Sequence, residues 1–132
     1  MLNINKTIEY ALIAIRHINS NNGGKQCTCR EIASTYNIPQ ELLAKTLQKL
    51  CKKGYLSSIK GANGGYLLNE NLENINFIDF IESIEGPIGV VKCSTNLECE
   101  LLNLCNIKNS MNVVNSNIRK TLRKLNLYEL TN

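Results

Sequence analysis

The chain of 132 residues has no tryptophan, only two prolines, one histidine and two phenylalanines. It lacks any apolar stretch near the roughly 20 residues that a membrane-spanning helix needs. Its start has no basic leader, and Glu9 and Arg16 interrupt the apolar positions there, so we expect no signal peptide. Without a signal peptide, we expect the protein to stay in the cytoplasm. The length and ordinary composition favour a single globular domain over a fibrous or disordered chain.

Acidic residues are missing from two long stretches of the sequence. Five lysines and no acid lie from Lys45 to Lys60, and five basic residues and no acid lie from Lys108 to Lys124, in a chain with a net charge of +4. Such stretches attract phosphate groups, although a solvated helix surface has the same composition. No substrate-pocket motif or acid–base pair is present, so we do not expect an enzyme.

Two consecutive helices with a short turn between them follow a first amphipathic helix over residues 5–20. Thr28 and Glu31 have the spacing of a capping box, which predicts a short helix to about Tyr36. Pro39 suits the first position of the next helix, which we expect to run to residue 53. The second helix is basic, so the pair predicts a helix-turn-helix. The residues expected to be buried in that helix are Leu42, Leu43, Leu47 and Leu50.

The segment after these helices has the pattern of a β-hairpin. Residues 55–59 and 66–68 read as short strands, and the glycine-rich residues 61–65 between them tolerate the positive φ angles of a tight loop. A hairpin directly after a basic helix predicts a wing. A short apolar helix is expected over 77–84.

The last part of the chain predicts a long helix with one apolar face. Its apolar residues recur every three or four positions, and little chain follows on which they could pack, so we expect this helix to pair with a second subunit. The residues of this apolar stripe are Met111, Val114, Ile118, Leu122 and Leu125.

The predicted fold class is mainly α with a small β-hairpin wing: a winged helix-turn-helix followed by a long C-terminal dimerisation helix. We expect one domain over 1–132. Within it, 1–70 forms the DNA-binding part, 88–106 a cysteine-containing loop and 107–128 the dimerisation helix.

Six cysteines without an export signal point to metal ligands or redox centres rather than to structural disulfides. Cys93, Cys99 and Cys105 have five residues in each gap, unlike the paired cysteines of structural zinc sites. Thiolates are the main protein ligands of iron–sulfur clusters. Spacing alone still allows these cysteines to be incidental. Of the remaining three, we expect Cys51 to be a core residue, while Cys27 and Cys29 have no neighbours in sequence that would complete a metal site.

The chain resembles the Rrf2 family of bacterial winged-helix regulators. The resemblance rests on residues 8–12 (IEYAL), on the wing residues 60–66 (KGANGGY), on residues 85–87 (EGP) and on the cysteine triplet. It implies that Cys93, Cys99 and Cys105 hold an iron–sulfur cluster, either 2Fe–2S or 4Fe–4S. Relatives without the triplet bind DNA without a cluster.

The resemblance also bears on the fourth cluster ligand. IscR-like members use a histidine three residues after the third cysteine, where this chain has Lys108, and its only histidine, His17, lies on the first helix. NsrR-like members use a carboxylate near the start of the first helix of the partner subunit, and the matching residue is Glu9. Glu9 is equally explained as a solvated acid that the helix dipole favours. Both interpretations stay open.

Helix-turn-helix proteins place the start of their second helix against base edges, while the first helix and the flanks hold phosphates. Lys60 stands where relatives usually have arginine, and it lacks the planar guanidinium that suits a narrow groove. Ala44 replaces a glutamate that IscR-like members use to discriminate between site classes. The predicted contacts are Gln40, Glu41 and Lys45 with bases, Thr28, Arg30, Lys49 and Lys52 with phosphates, and Lys60, Asn63 and Gly64 from the wing.

These features predict a homodimeric DNA-binding transcription regulator, expected to be a repressor, that binds an inverted-repeat operator in double-stranded DNA. Its DNA affinity would be controlled by an iron–sulfur cluster that senses iron status, redox state or nitric oxide. One alternative is a cluster-independent repressor of cysteine or sulfur metabolism. A small redox protein is less favoured, because the wing would then have no purpose.

Overall fold

A computed structural model describes residues 4–21, 26–89 and 106–131. No helix in these three ranges is long and apolar enough to span a membrane. The elements in chain order are α1 (Lys6–Ser20), α2 (Cys29–Tyr36), α3 (Gln40–Lys52), β1 (Leu56–Ile59), β2 (Gly65–Leu68), a 3₁₀ turn (Leu72–Asn74), α4 (Phe77–Glu85), α5 (Lys108–Arg123) and α6 (Leu127–Thr131).

Helices α2 and α3 begin and end close to the residues predicted from the sequence, and capping residues explain these boundaries. The Thr28 hydroxyl oxygen accepts the backbone N–H of Glu31 at 3.0 Å, which confirms the N-terminal half of the predicted capping box. Asn37 adopts a left-handed conformation (φ 54°) at the end of α2 and turns the chain into α3. Pro39 is the N-cap of α3 rather than its first helical residue.

The core forms where α1, α2 and α3 pack together. Leu43, Leu47 and Leu50 of α3 are completely buried there, as predicted. Leu42 is 49% exposed, so its predicted burial is wrong. The buried stripe of α3 runs through positions 43, 47 and 50, and Leu42 is rotated about 100° away from residue 43 around a helix of 3.6 residues per turn.

The two strands pair antiparallel, from Leu56 opposite Leu68 to Ile59 opposite Gly65. A short third segment pairs with β2 near the loop end of the hairpin, through an isolated bridge between Cys27 and Tyr66. The backbone N–H of Tyr66 donates to the Cys27 carbonyl at 2.8 Å, and the N–H of Cys27 donates to the Tyr66 carbonyl at 3.3 Å. Cys27, two residues before the start of α2, is therefore fixed to the wing.

The predicted continuous helix over 107–128 is wrong at its C-terminal end. Helix α5 ends at Arg123, and the chain turns back before α6 begins at Leu127. The Leu127 N–H donates to the Ile75 carbonyl at 3.0 Å, and the Leu127 side chain is completely buried. Leu125 lies in the turn, packed against the core, rather than on the helix. The last residues thus complete the core of their own subunit.

Candidate nucleic-acid interface

One side of α3 is exposed and rich in lysine. Leu43, Leu47 and Leu50 of this helix face the core, and the predicted DNA contacts lie away from it. The five predicted contacts on α3 are all exposed to solvent: Gln40, Glu41, Lys45, Lys49 and Lys52. With only one acid among them, this surface suits a phosphate backbone.

The wing and the start of α2 enclose an open crevice of about 400 Å³. Thr28 lines it from α2, while Lys60 and Gly64 line it from the wing, so three of the predicted contacts share one concave surface. The Thr28 oxygen already accepts a backbone N–H, but its hydroxyl proton is free to donate to a phosphate. Arg30 and Asn63 are exposed nearby in sequence but do not line the crevice.

The shape of the wing tip depends on Gly64. A Cβ atom at this residue would lie 2.1 Å from the backbone oxygen of Ile59, a distance that requires the backbone to move. The N–H of Gly64 also closes the loop by donating to the Gly61 carbonyl at 3.0 Å. Gly61 itself has a φ of 114°, a region that glycine alone enters readily. The sequence prediction of a glycine-dependent hairpin is confirmed.

We expect Gly64→Ala to deform the wing tip and to weaken DNA binding at least about tenfold, or about 1.4 kcal/mol. The matched control is Gly54→Ala. Gly54 also has a positive φ (85°), but a Cβ there meets nothing within 4 Å. That variant should lose about 1–2 kcal/mol of stability through backbone strain alone and keep its DNA affinity. Fluorescence anisotropy measures the DNA affinity of each variant, and thermal unfolding measures its stability. Equal DNA affinities for both variants would contradict this role of the wing.

A second groove, of about 220 Å³, extends the basic surface toward α1. Lys6, Thr7 and Tyr10 of α1 line it together with Lys45 and Lys49 of α3. Lys6 could not be predicted as part of this surface from the sequence, because only the packing of α1 on α3 brings the start of α1 to the lysine side of α3. The side-chain hydrogen bond to Glu9 raises the pKa of Lys6. The positive charge of the groove comes from Lys45 and Lys49, since Glu9 offsets that of Lys6.

Glu9 lies in the first turn of α1, where its side chain is 44% exposed. Its Oε2 atom is 3.0 Å from Nζ of Lys6, a side chain that is 76% exposed. A surface ion pair of this kind is weak and is easily exchanged for another partner. The residues predicted as its co-ligands, Cys93, Cys99 and Cys105, lie outside the described residues.

The end of α4 and the chain leading toward the cysteine triplet are fixed to α5 by one arginine. Nη1 of Arg119 is 2.5 Å from Oε1 of Glu82 and donates to the backbone carbonyl of Ile88 at 3.3 Å. Both side chains are partly exposed, at 27% for Arg119 and 23% for Glu82. The role of Arg119 could not be predicted, because nothing in the sequence distinguishes it from the other basic residues of α5.

The cysteines outside the triplet differ in their burial. Cys27 is completely buried, while Cys29 and Cys51 are partly exposed. Burial raises the pKa of both the Cys29 and the Cys51 thiol, which favours the unreactive protonated form. Cys51 packs against the edge of the core rather than inside it. Cys27, in contrast to the sequence expectation, has potential metal-ligating neighbours in space, His17 and Glu31.

Comparison with known proteins gives one family. The Rrf2 family, described as an iron-dependent transcriptional regulator, matches residues 4–132. The transcriptional regulator NsrR of Bacillus licheniformis is 29% identical over 106 residues, which cover 79% of this chain and 74% of that protein.

Two solved structures match this chain in fold. CymR, the global cysteine regulator of B. subtilis, has a TM-score of 0.79 at 26% identity, covering 99% of this chain and 97% of CymR. IscR of T. potens has a TM-score of 0.74 at 21% identity, covering 98% and 85% of the two chains. The predicted winged-helix fold is confirmed.

Proposed function

Because this chain belongs to the Rrf2 family of transcriptional regulators, we propose that it binds operator DNA as a homodimer and that an iron–sulfur cluster on Cys93, Cys99 and Cys105 controls its DNA affinity. We further propose that Glu9 of the partner subunit supplies the fourth cluster ligand. The operator would be an inverted repeat whose half-sites match the two-fold symmetry of the dimer.

The observation that supports DNA binding is the exposed lysine side of α3, together with the exposed Lys60 of the wing. The exposed lysines of α3 lie along one helix face, and an α-helix fits the major groove of B-form DNA. Lys60 stands at the start of the wing loop, in the crevice that also contains Thr28. The wing can therefore contact the backbone or the adjacent minor groove while α3 reads bases.

The donor set fits an iron–sulfur cluster chemically. The triplet offers three thiols, and Glu9 offers an oxygen whose present partner, Lys6, is exposed and readily displaced. When bound, the cluster supplies a centre that responds to iron supply, oxidation or nitric oxide. An oxygen ligand binds such a centre less tightly than a thiolate, which suits a sensor.

Glu9 is well placed to transmit a change at the cluster to the DNA-binding surface. Its neighbour Ile8 is 1% exposed and anchors the start of α1 in the core. Helix α1 packs directly on α3, and the start of α1 lines the same groove as Lys45 and Lys49. A ligand that fixes Glu9 across the dimer would therefore fix the position of α3 relative to its symmetry mate.

A second candidate function is a cluster-independent regulator of cysteine metabolism. The likeness to CymR, named as a global cysteine regulator, favours it, because the fold match extends over nearly the full length of both chains. The two candidates share the DNA-binding surface and differ in whether the cysteine triplet holds iron and sulfide. A visible spectrum of protein purified without oxygen, with iron and sulfide counts, separates them.

If the lysines of α3 contact phosphates, the DNA affinity should depend steeply on the salt concentration. Binding to the DNA upstream of its own gene should weaken as salt rises, because lysines release counterions from phosphates. Lys49→Gln and Lys52→Gln should each weaken binding to all sequences and lower the slope of log Kd against log salt by about one. Lys120→Gln, on α5, is the matched control and should leave the slope unchanged. Fluorescence anisotropy between low and moderate salt measures this. A slope near zero for the unaltered protein would exclude this surface as the DNA-binding site.

A further inference from the structure

Three different metal-ligating side chains meet where α1 adjoins the start of α2. His17 lies near the end of α1, Cys27 lies just before α2, and Glu31 lies in the first turn of α2. One ligand atom from each residue lies within 4.8 Å of the other two. None of the three belongs to the cysteine triplet or to the predicted DNA contacts, so the proposed function leaves this cluster unexplained.

The imidazole of His17 is held in an orientation that suits a metal ligand. Its Nδ1 atom is 2.9 Å from the Tyr36 hydroxyl, and the two rings pack edge to face. When Nδ1 donates its proton to the Tyr36 oxygen, Nε2 is left with a free lone pair. That Nε2 atom is buried and has no hydrogen-bond partner among the described residues. A buried ring nitrogen without a partner is costly unless something binds it.

The spacing of the donor atoms suits tetrahedral coordination. Nε2 of His17 is 3.6 Å from Oε1 of Glu31, which is too long for a hydrogen bond. Zinc bonds of about 2.0–2.1 Å to nitrogen and oxygen, at the tetrahedral angle, place two ligand atoms roughly 3.4 Å apart. The observed separation needs only a small adjustment of the Glu31 carboxylate, which is partly exposed and free to move.

The thiol of Cys27 forms the buried floor of this cluster. Cys27 is 0% exposed, the His17 side chain is 14% exposed and that of Glu31 is 42% exposed, so the three form a path from the interior to solvent. The amide nitrogen of Asn21 donates to Sγ of Cys27 at 2.9 Å. Hydrogen bonds of this kind to a sulfur atom support a ligating thiolate.

We propose that His17, Cys27 and Glu31 bind a divalent transition-metal ion, with zinc as the best match, and that water completes the coordination beside Glu31. A set of one imidazole, one thiolate and one carboxylate suits zinc, whereas calcium and magnesium prefer oxygen ligands throughout. We refer to these three residues as the α1–α2 site. It is separate in sequence from Cys93, Cys99 and Cys105.

Metal at the α1–α2 site would join three parts of the DNA-binding unit. The ion connects α1 to α2 through side chains, and Cys27 is bonded to Tyr66 of the wing through its backbone. Binding would therefore stiffen the wing relative to the helix-turn-helix. This consequence for DNA depends on the proposed function, but binding of the ion itself does not.

The test is a Co²⁺ titration of the full chain carrying Cys93→Ser, Cys99→Ser and Cys105→Ser, in which no cluster ligand from the triplet remains. We expect a thiolate-to-cobalt charge-transfer band that saturates at one ion per chain. Adding Cys27→Ser should abolish the band, and adding His17→Gln or Glu31→Gln should weaken the cobalt affinity at least about tenfold. Cys29→Ser and Glu70→Gln, a nearby thiol and an exposed acid outside the site, are matched controls that should leave band and affinity unchanged.

A second measurement guards against variants that fail to fold. One equivalent of Zn²⁺ should raise the Tm of the triplet-serine protein but not that of its His17→Gln form, provided that both show the same helical circular dichroism. Tyr36→Phe should weaken cobalt binding about tenfold, because Nδ1 loses its partner. Absence of the band, its survival in Cys27→Ser, or a Tm that zinc leaves unchanged would overturn the proposal. None of these outcomes affects DNA binding by the unaltered chain, so the two proposals can fail separately.

Discussion

Protein purified without oxygen should be coloured, and replacing any one of Cys93, Cys99 or Cys105 by serine should remove the visible absorption and the bound iron and sulfide. Each substitution removes a thiolate, and a serine hydroxyl is a much poorer ligand for iron. Cys29→Ser and Cys51→Ser are the controls and should keep the colour, because both thiols lie in the helix-turn-helix, outside the triplet, and burial raises the pKa of each. Colour that survives in all three triplet variants would show that these cysteines hold no cluster.

The same visible spectra test whether Glu9 is a ligand of the cluster. If Glu9 supplies the fourth ligand, Glu9→Ala should form a cluster with a shifted spectrum and a shorter lifetime in air, since water or a small thiol can take the vacant position. Lys6→Ala is the matched control, because it breaks the ion pair with Glu9 and leaves the carboxylate in place. A Glu9→Ala cluster identical to the unaltered one would assign Glu9 the role of a first-turn acid.

Val114→Glu should convert the dimer to a monomer and weaken operator binding by at least about a hundredfold, because each subunit then binds its half-site alone. None of the residues of α5 is buried in the single chain, and two adjacent valines, Val113 and Val114, are 62% and 39% exposed. An apolar surface of this kind on a helix is stable in water when a partner covers it. Leu122 is a less suitable test, because it packs partly against the core of its own subunit.

Ser116→Glu, on an exposed position of the same helix, is the matched control and should remain dimeric. Sedimentation velocity at micromolar concentration gives the oligomeric state, and circular dichroism shows whether each variant is folded. Unaltered protein that sediments as a monomer under these conditions would exclude α5 as a dimer interface.

The parts of the fold that local chemistry decides could be predicted from the sequence. The bond between Thr28 and Glu31 and the positive φ of Gly61 in the wing loop both depend on neighbours in the chain, and the sequence predicts both. The close approach of Gly64 to Ile59 does not follow from the glycine pattern. The break after Arg123 was missed, because the leucines at 122 and 125 continue the helical spacing. A local signal was nevertheless present. Asn126 accepts the N–H of Glu129 while the Glu129 carboxylate accepts the N–H of Asn126, which is a capping box that begins a new helix.

The features that depend on packing between helices could not be predicted in this way. Lys6 joins the basic groove only because α1 lies against α3. His17 and Cys27 are ten positions apart in sequence, and their ligand atoms come together because α1 ends beside the start of α2. Sequence spacing predicts which face of a helix is apolar, but it does not give the partner that this face meets.

The most direct test of the central claim is the operator affinity of the same anaerobic preparation before and after its cluster is removed with a chelator. We predict that the two Kd values differ by about tenfold or more, a typical size for coupling between two sites. The protein carrying Cys93→Ser, Cys99→Ser and Cys105→Ser should bind like the cluster-free form under both treatments. Equal affinities for the coloured and the bleached protein would contradict control by an iron–sulfur cluster and would favour the cluster-independent regulator.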